Sequence, residues 1–316
     1  MKGLNASAVG SVIHQKFSRF SRPAAIGFDA SRFDQHIGVD ALHFEHGFYL
    51  NLFENDPELQ RLLHWQLSNS GVAIANEAKI KYQVKGCRMS GDMNTSMGNI
   101  IIMCCLTVQV LRELGIRKYE IINNGDDCAV VVERRHAHRI QQAIPNTMLN
   151  YGFEIVCEPT VYRPQDLEFC QAFSVDLGHR ITAIRDPKTI ISKDLYSTKD
   201  CSHEGAWNAY RRAVSDCGLA MYGDVPVLGA FYMMMRRGTS KAAKRFLETG
   251  MEYLAVGETQ TFTRPTDDAR LAFYDAFDIT PHEQILLEER YDSIVPRFEV
   301  IHHAIESPGA ALWGGE

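Results

Sequence analysis

Two adjacent carboxylates, Asp126 and Asp127, stand in the run IINNGDDCAVV at residues 121–131. Both flanks are β-branched and apolar, and Asn-Asn-Gly supplies turn residues. The pair is therefore expected at a hairpin tip, presented at a sheet edge rather than buried. Carboxylates placed this way can ligate a hard divalent cation such as Mg²⁺, which takes oxygen donors from one or two acids together with substrate phosphates. Taken alone, the pair is explained as well by a solvated turn. Upstream, AIGFDASRFDQHIGVDALHFEHGFYL carries a short apolar strand ending at Asp29, then Asp34 before a helical pattern. Asp29 at the strand exit adds a third carboxylate, and the backbone carbonyl of Ala30 could reach the same ion. Asp34 lies past a turn, nearer to the sugar of a bound nucleotide than to its phosphates; the plain alternative is a helix N-terminal acid favoured by the dipole.

Between the acidic stretches lies KGCRMSGDMNTSMGNIIIMCCLTVQVLRELG, residues 85–115. Small polar residues, Ser90, Gly91, Asp92, Asn94, Thr95 and Ser96, form a loop that feeds a helix. An apolar run from Ile100 to Leu114 follows, with Gly115 as its stop. A glycine-containing loop admits a sugar-phosphate chain closely, and a helix start favours anions. Thr95 and Asn99, four apart, share one helix face and could bond one ligand. A capped core helix explains the Ser and Thr but not the length of the polar loop.

In that order, DASRFD, SGDMNTSMGN and NNGDD resemble motifs A, B and C of the RNA-dependent RNA polymerases of positive-strand RNA viruses. KGLNA near the start, AIGFDASRFDQH, and LEFCQ at 167–171 resemble the tombusvirus-like group most closely. The resemblance is strongest from Gly3 to Gln171, and D-x4-D, SG-x3-T-x3-N and GDD in sequence make it specific. It implies that Asp29 and Asp126 hold two Mg²⁺ ions, which Mn²⁺ can replace, with Asp127 assisting and Ala30 adding its carbonyl. Asp34 and Asn99 would read the ribose 2′-hydroxyl, and Ser90, Gly91 and Thr95 would support them. Phe169, Cys170 and Gln171 match motif E, a grip on the growing RNA strand, with Cys170 a packed thiol rather than a catalyst.

Two departures from the family pattern carry expectations of their own. Only 28 residues precede Asp29, so the basic fingertip motif that contacts the triphosphate is expected outside this chain, as on a fragment or a second polypeptide. Lys16, Arg19 and Arg22 read as a solvated face or the lining of an RNA path. Between Lys118 and Lys188 there is no lysine to serve as the motif D acid. His136, His138 and Arg139 are the nearest substitutes, against the simpler reading of a charged helix face.

The net charge of −6 argues against a generally basic nucleic-acid surface. Local cations offset it: Arg211 and Arg212, then Arg236, Arg237, Lys241, Lys244 and Arg245, on helical stretches that could touch template or product. Eight cysteines without a C-x-x-C point to reduced thiols and no zinc site, and no signal peptide or apolar stretch of spanning length is read.

The expected fold class is α+β, a right-hand polymerase palm of antiparallel sheet backed by helices. Residues 1–24 are a residual fingers segment, 25–39 and 87–172 the palm, 40–86 a fingers insertion with helices at DALHFEHGFYLNLF and PELQRLLHWQLSN, and 173–316 a helical thumb. Thr280-Pro-His-Glu283 forms a capping box, Thr266 with Asp267 and Asp268 opens another helix, and the tail ESPGAALWGGE is expected to be flexible. The resemblance implies RNA-templated RNA synthesis with RNA template, product strand and NTPs as partners. A viral replicase auxiliary protein is expected as well, with any membrane reached indirectly, at replication complexes in the host cytoplasm. The alternatives are an RNA-binding polymerase fragment that needs an upstream segment, and a two-metal nuclease or phosphatase, which leaves the Ser90-to-Asn99 stretch unexplained.

Overall fold

The structure, a computed structural model, describes residues 1–75, 78–197, 201–240, 251 and 254–299. The chain divides into two units, residues 1–186 with 266–279, and residues 187–265 with 280–316. The fold is mixed α and β, with antiparallel sheets and helices.

The first unit is built on β1 (Pro23–Ala30), β4 (Glu120–Asn123), β5 (Cys128–Glu133) and β6 (Ile155–Cys157), hydrogen-bonded in the order β4-β5-β1-β6 and all antiparallel. Alternation along β1 and β5 sends residues to opposite faces. Ala24, Ile26, Phe28 and Ala30, with Cys128, Val130 and Val132, pack under α5 (Thr95–Glu113) and α6 (Arg134–Leu149). Ala25, Ala129 and Val131 pack under Ile13 and Phe17 of α1 (Ala6–Ser18). Both faces are covered, which is why the central strands read as unbroken apolar runs. Burial of each Val in β5 contributes about 1.5–3 kcal/mol.

Helix α5 stops as expected, with Leu114 as C-cap and Gly115 at φ +67°. Contrary to the expectation of no spanning stretch, α5 is long and apolar enough to cross a membrane, at mean hydropathy 1.3. Ile102, Met103, Leu106, Val110 and Leu111 instead bury its apolar face on the sheet.

Helices α2 (Phe33–His36), α3 (Val39–Leu52) and α4 (Pro57–Trp65) follow β1. The two helices expected in 40–86 are present, and a hairpin of β2 (Ser68–Ala75) and β3 (Ala78–Lys85) that was not expected completes the segment. β3 does alternate, with Ala78, Ile80, Tyr82 and Val84 set against Lys79, Lys81, Gln83 and Lys85, the period of a strand. Most side chains of the hairpin are nonetheless exposed.

The region from residue 173, expected to be helical, begins with strands. β7 (Glu168–Phe169), β8 (Ala172–Asp176) and β9 (Ile181–Arg185) form a second antiparallel sheet, because AFSVD and ITAIR have strand composition and meet at a turn where Asp176 accepts from the Gly178 N–H. Helix α10 (Asp267–Phe277), capped by Thr266, belongs to this unit through Phe277 on Phe173 and Asp275 on Arg163.

Gly10 of α1 lies against β9, where an added Cβ would fall 2.7 Å from the Thr182 carbonyl carbon. Gly10→Ala is expected to destabilise the chain by about 1–3 kcal/mol in urea unfolding, because backbone on backbone cannot relax as a side-chain tip can.

The second unit contains α7 (Pro187–Lys193), α8 (Glu204–Tyr222), α9 (Leu228–Arg236) and α11 (Pro281–Ser293). Gly218 lets α8 meet the Tyr232 ring of α9. The Thr280–Glu283 capping box is formed, with Pro281 at the first helical position. The tail ESPGAALWGGE lies outside the described residues.

Candidate functional site

The last register pair between β1 and β5 is Phe28 with Cys128. One residue further, each strand carries an acid, so Asp29 and Asp127 follow as cross-strand neighbours on the α1 side of the sheet. The turn between β4 and β5 presents Asp126 exposed and Asp127 partly buried, so the expectation of two freely presented acids holds for the first only. Asn123 shapes this turn: its Nδ2 donates to the Gly125 carbonyl at 2.8 Å, and its Oδ1 accepts from the Gly125 N–H at 3.2 Å. Gly125 sits at φ +113°, and a Cβ there would touch Cβ of Asn99.

Burial pushes the Asp127 carboxyl above its ordinary value; hydrogen bonds from Cys170 oppose this, and the charges of Asp126 and Asp29 reinforce it. The Cys170 N–H donates to Asp127 Oδ2 at 2.7 Å, which ties the β4–β5 turn to the β7–β8 turn. Because native Asp127 titrates above its unfolded counterpart, folding takes up a proton between the two values, and its contribution to stability is lost as pH rises through the native one. Asp127→Asn is thus expected to melt above the parent at pH 7, with the difference closing below about pH 4.

Glu158, which the motifs did not indicate, belongs to the same surface. Its carboxylate occupies the space where a Gly27 Cβ would be, and burial, then Asp127, Glu168 and Asp29, push its carboxyl up. A glycine inside an otherwise apolar strand is the sequence signal for such a close approach. Among the described residues, no three His, Cys, Asp or Glu side chains close into a metal cage. The donor chemistry of Asp29, Asp126 and Asp127 is nonetheless hard oxygen, and their mutual repulsion is what a divalent cation relieves. Ala30 buries its side chain on the helix side, leaving only its carbonyl as a donor.

Beside the acids, Asn99 Nδ2 donates to Asp34 Oδ1 at 2.7 Å. Asp34 lies in the first turn of the short helix α2 and ahead of α3, where the alternative of a helix N-terminal acid places it. Arg88, absent from the motif reading, donates from Nε to Asn99 Oδ1 at 3.2 Å and forms a fully buried ion pair with Glu45 of α3. Thr95 does not reach Asn99; its hydroxyl donates to the Met89 and Asp92 carbonyls and shapes the loop. Ser90 and Gly91 are exposed on that loop, and no described hydrogen bond joins Ser90 to Asp34 or Asn99.

Other expected sites are used structurally. Phe169 is 2% exposed and packs in the cluster under α1, while Cys170 and Gln171 form the exposed turn at φ +52° and +58°. Cys170 is thus exposed rather than the packed thiol expected; desolvation, then the Asp127 charge, nonetheless pushes its thiol up to about 12, which disfavours the thiolate. In the second unit, Arg236 pairs with Asp216, and Arg237 donates to the Asp292 and Ile294 carbonyls. Arg211 is buried against the Met235 and Arg237 carbonyls, and Arg212 pairs with Asp216. This stretch is therefore not a free cationic face; Lys241, Lys244 and Arg245 lie outside the described residues. Lys16 and Arg19 both pair with Glu120, and Arg19 keeps half of its side chain exposed, as expected of a solvated face. His136, His138 and Arg139 lie in the first turns of α6, which leaves β5 beyond Glu133. That end is five residues, roughly 17 Å, from Cys128, so these side chains are remote from the acids.

The family described as viral RNA dependent RNA polymerase matches residues 1–299. The RNA-directed RNA polymerase of Maize chlorotic mottle virus is 40% identical over 304 residues, 95% of this chain and 31% of that protein. Those of Cucumber necrosis virus and Turnip crinkle virus are each 37% identical over 302 residues, covering 92% and 93% of this chain and 36% and 38% of theirs. The chain thus spans about a third of the length of the curated relatives it matches. With the three motifs and their convergence on one end of the sheet, the match means that this chain belongs to the viral RNA dependent RNA polymerase family.

Proposed function

We propose that this chain carries the nucleotidyl-transfer site of an RNA-templated RNA polymerase in viral genome replication. The observation that carries the reading is the placement of Asp29, Asp127 and the Asp34–Asn99 pair at one end of a single sheet. The four-stranded sheet with α5 and α6 is the palm, residues 40–86 are fingers, and the second unit is the thumb.

Asp29, Asp126 and Asp127, with the Ala30 carbonyl, would hold Mg²⁺, or Mn²⁺ in its place. Bound there, the metal would lower the pKa of the primer 3′-hydroxyl and neutralise charge on the leaving pyrophosphate. The carboxylates orient the reacting groups in line, and Asn99 and Asp34 bind the ribose 2′-hydroxyl. A site built to bond a hydroxyl rejects the analogue lacking it because its own polar groups are left unpaired. Asn99→Ala is expected to narrow the preference for NTP over dNTP by about 2–5 kcal/mol in competition assays.

Template, product strand and NTPs are the partners of this reading. An auxiliary replicase protein would bring the chain to membrane-associated complexes in the host cytoplasm. Incorporation of labelled NTP on a primed RNA template with Mg²⁺ tests the function. Cleavage without addition would favour the nuclease reading, and RNA affinity without incorporation a binding fragment.

A further inference from the structure

We propose that Arg88 and Glu45 are positioning residues that fix which way round the Asn99 amide faces the sugar, and so set the hydrogen-bond polarity read from the 2′-hydroxyl. The inference rests on the polymerase reading and deepens it.

A carboxamide has one acceptor oxygen and two N–H donors, and its two orientations differ only in what surrounds them. Around Asn99 the surroundings are unequal. Arg88 Nε donates to Oδ1 at 3.2 Å, and Nδ2 donates to Asp34 Oδ1 at 2.7 Å. A guanidinium has donors only and an ionised carboxylate acceptors only. The flipped amide would set N–H against N–H and oxygen against oxygen, losing both bonds.

Arg88 is itself held. Its Nη2 is bonded to Glu45 Oε2, both side chains are wholly buried, and its backbone N–H donates to the Asp34 carbonyl at 2.8 Å. Glu45 Oε1 accepts from Asn94 Nδ2 at 2.7 Å, and Asn94 Oδ1 accepts from Gln66 Nε2 at 2.7 Å. Gln66 Oε1 in turn meets His46 Nε2 at 3.1 Å. Burial keeps His46 below its ordinary value, which suits a neutral ring donating through Nε2. Gly98 completes the arrangement, since a Cβ there would collide with the head groups of both Glu45 and Arg88.

With Oδ1 turned toward Arg88 and one N–H donated to Asp34, the group Asn99 turns to the sugar is its second N–H. The second N–H of Asn99 and the second oxygen of Asp34 are then complementary to a hydroxyl that accepts from the first and donates to the second. A 2′-hydrogen satisfies neither. Sugar choice at the motif residues therefore depends on an acid 54 positions before Asn99, on another helix.

The test is single-nucleotide incorporation of ATP and dATP by the purified chain on a primed template, with kcat/KM for parent, Arg88→Lys, Glu45→Gln, Asn99→Ala and the Arg88→Lys/Asn99→Ala double variant. Thermal melting runs alongside. Arg88→Lys keeps the charge and loses the Nε donor; Glu45→Gln keeps the shape if the first variant does not fold. Either folded variant is expected to lower the ATP/dATP ratio by about 10–100-fold, with the loss falling on ATP, and Arg88→Lys to add nothing once Asn99 is Ala. An unchanged ratio in a folded variant, or fully additive losses in the double, would overturn the proposal. A parent that adds both sugars equally leaves the polymerase reading standing and removes the sugar sensor; a parent that adds neither removes both.

Discussion

Asp126→Ala is expected to lower NTP incorporation on a primed RNA template by at least about 10³-fold in kcat/KM, with the melting temperature nearly unchanged. Asp126 is exposed at the turn, and no described hydrogen bond or ion pair uses its carboxylate. Its removal should therefore cost no more than about 0.5 kcal/mol of stability, the usual range for a surface site. The loss would fall on transition-state charge, which a carboxylate-held cation offsets and an alanine cannot. Raising Mg²⁺ or Mn²⁺ should not restore the rate. A variant that retains most of the parental kcat/KM, compared in the same assay, would exclude Asp126 from the chemistry.

Arg88→Met is expected to destabilise the chain by about 3–5 kcal/mol in urea unfolding, and Glu45→Met by a similar amount. Each leaves a buried charge without its partner, since both side chains are 0% exposed. The double substitution Glu45→Met/Arg88→Met should recover much of that loss, because two apolar side chains carry no desolvation cost. If either single variant unfolds within about 1 kcal/mol of the parent, the charge left behind is not the uncompensated one this account requires. The double variant should at the same time lose sugar discrimination, which separates stability from positioning.

Local features were legible because local dihedral period and turn chemistry are written in neighbouring residues. The apolar runs of β1 and β5, the loop and stop of α5, and the capping box at Thr280 all follow from side chains within a few positions of one another. The β2–β3 hairpin is not among the expected elements although Ile80, Tyr82 and Val84 alternate with Lys81, Gln83 and Lys85, a strand period that was legible beside the two helices expected there. Strands β8 and β9 were missed because the helical pattern further on was extended back across them.

The candidate site divides in the same way. Asp29, Asp34, Asn99, Asp126 and Asp127 stand out in the sequence through the resemblance of DASRFD, SGDMNTSMGN and NNGDD to ordered family motifs. Glu158, Glu45 and Arg88 are not, since an acid or a guanidinium declares its partner only after packing. The basic clusters show the converse: Arg211, Arg236, Arg237, Lys16 and Arg19 look available in a string of letters and are engaged in the fold.

By itself, then, the amino-acid sequence set out the candidate acids and polar groups, their order and the strands and helix that carry them. Only the tertiary structure decided which groups meet. The antiparallel register sets Asp29 beside Asp127, and the seating of α5 over the sheet brings Asn99 to Asp34, 65 residues away. The physical reason is that hydrogen bonds and ion pairs act over a few ångströms of space, and separation along the chain does not encode that distance until the core has packed.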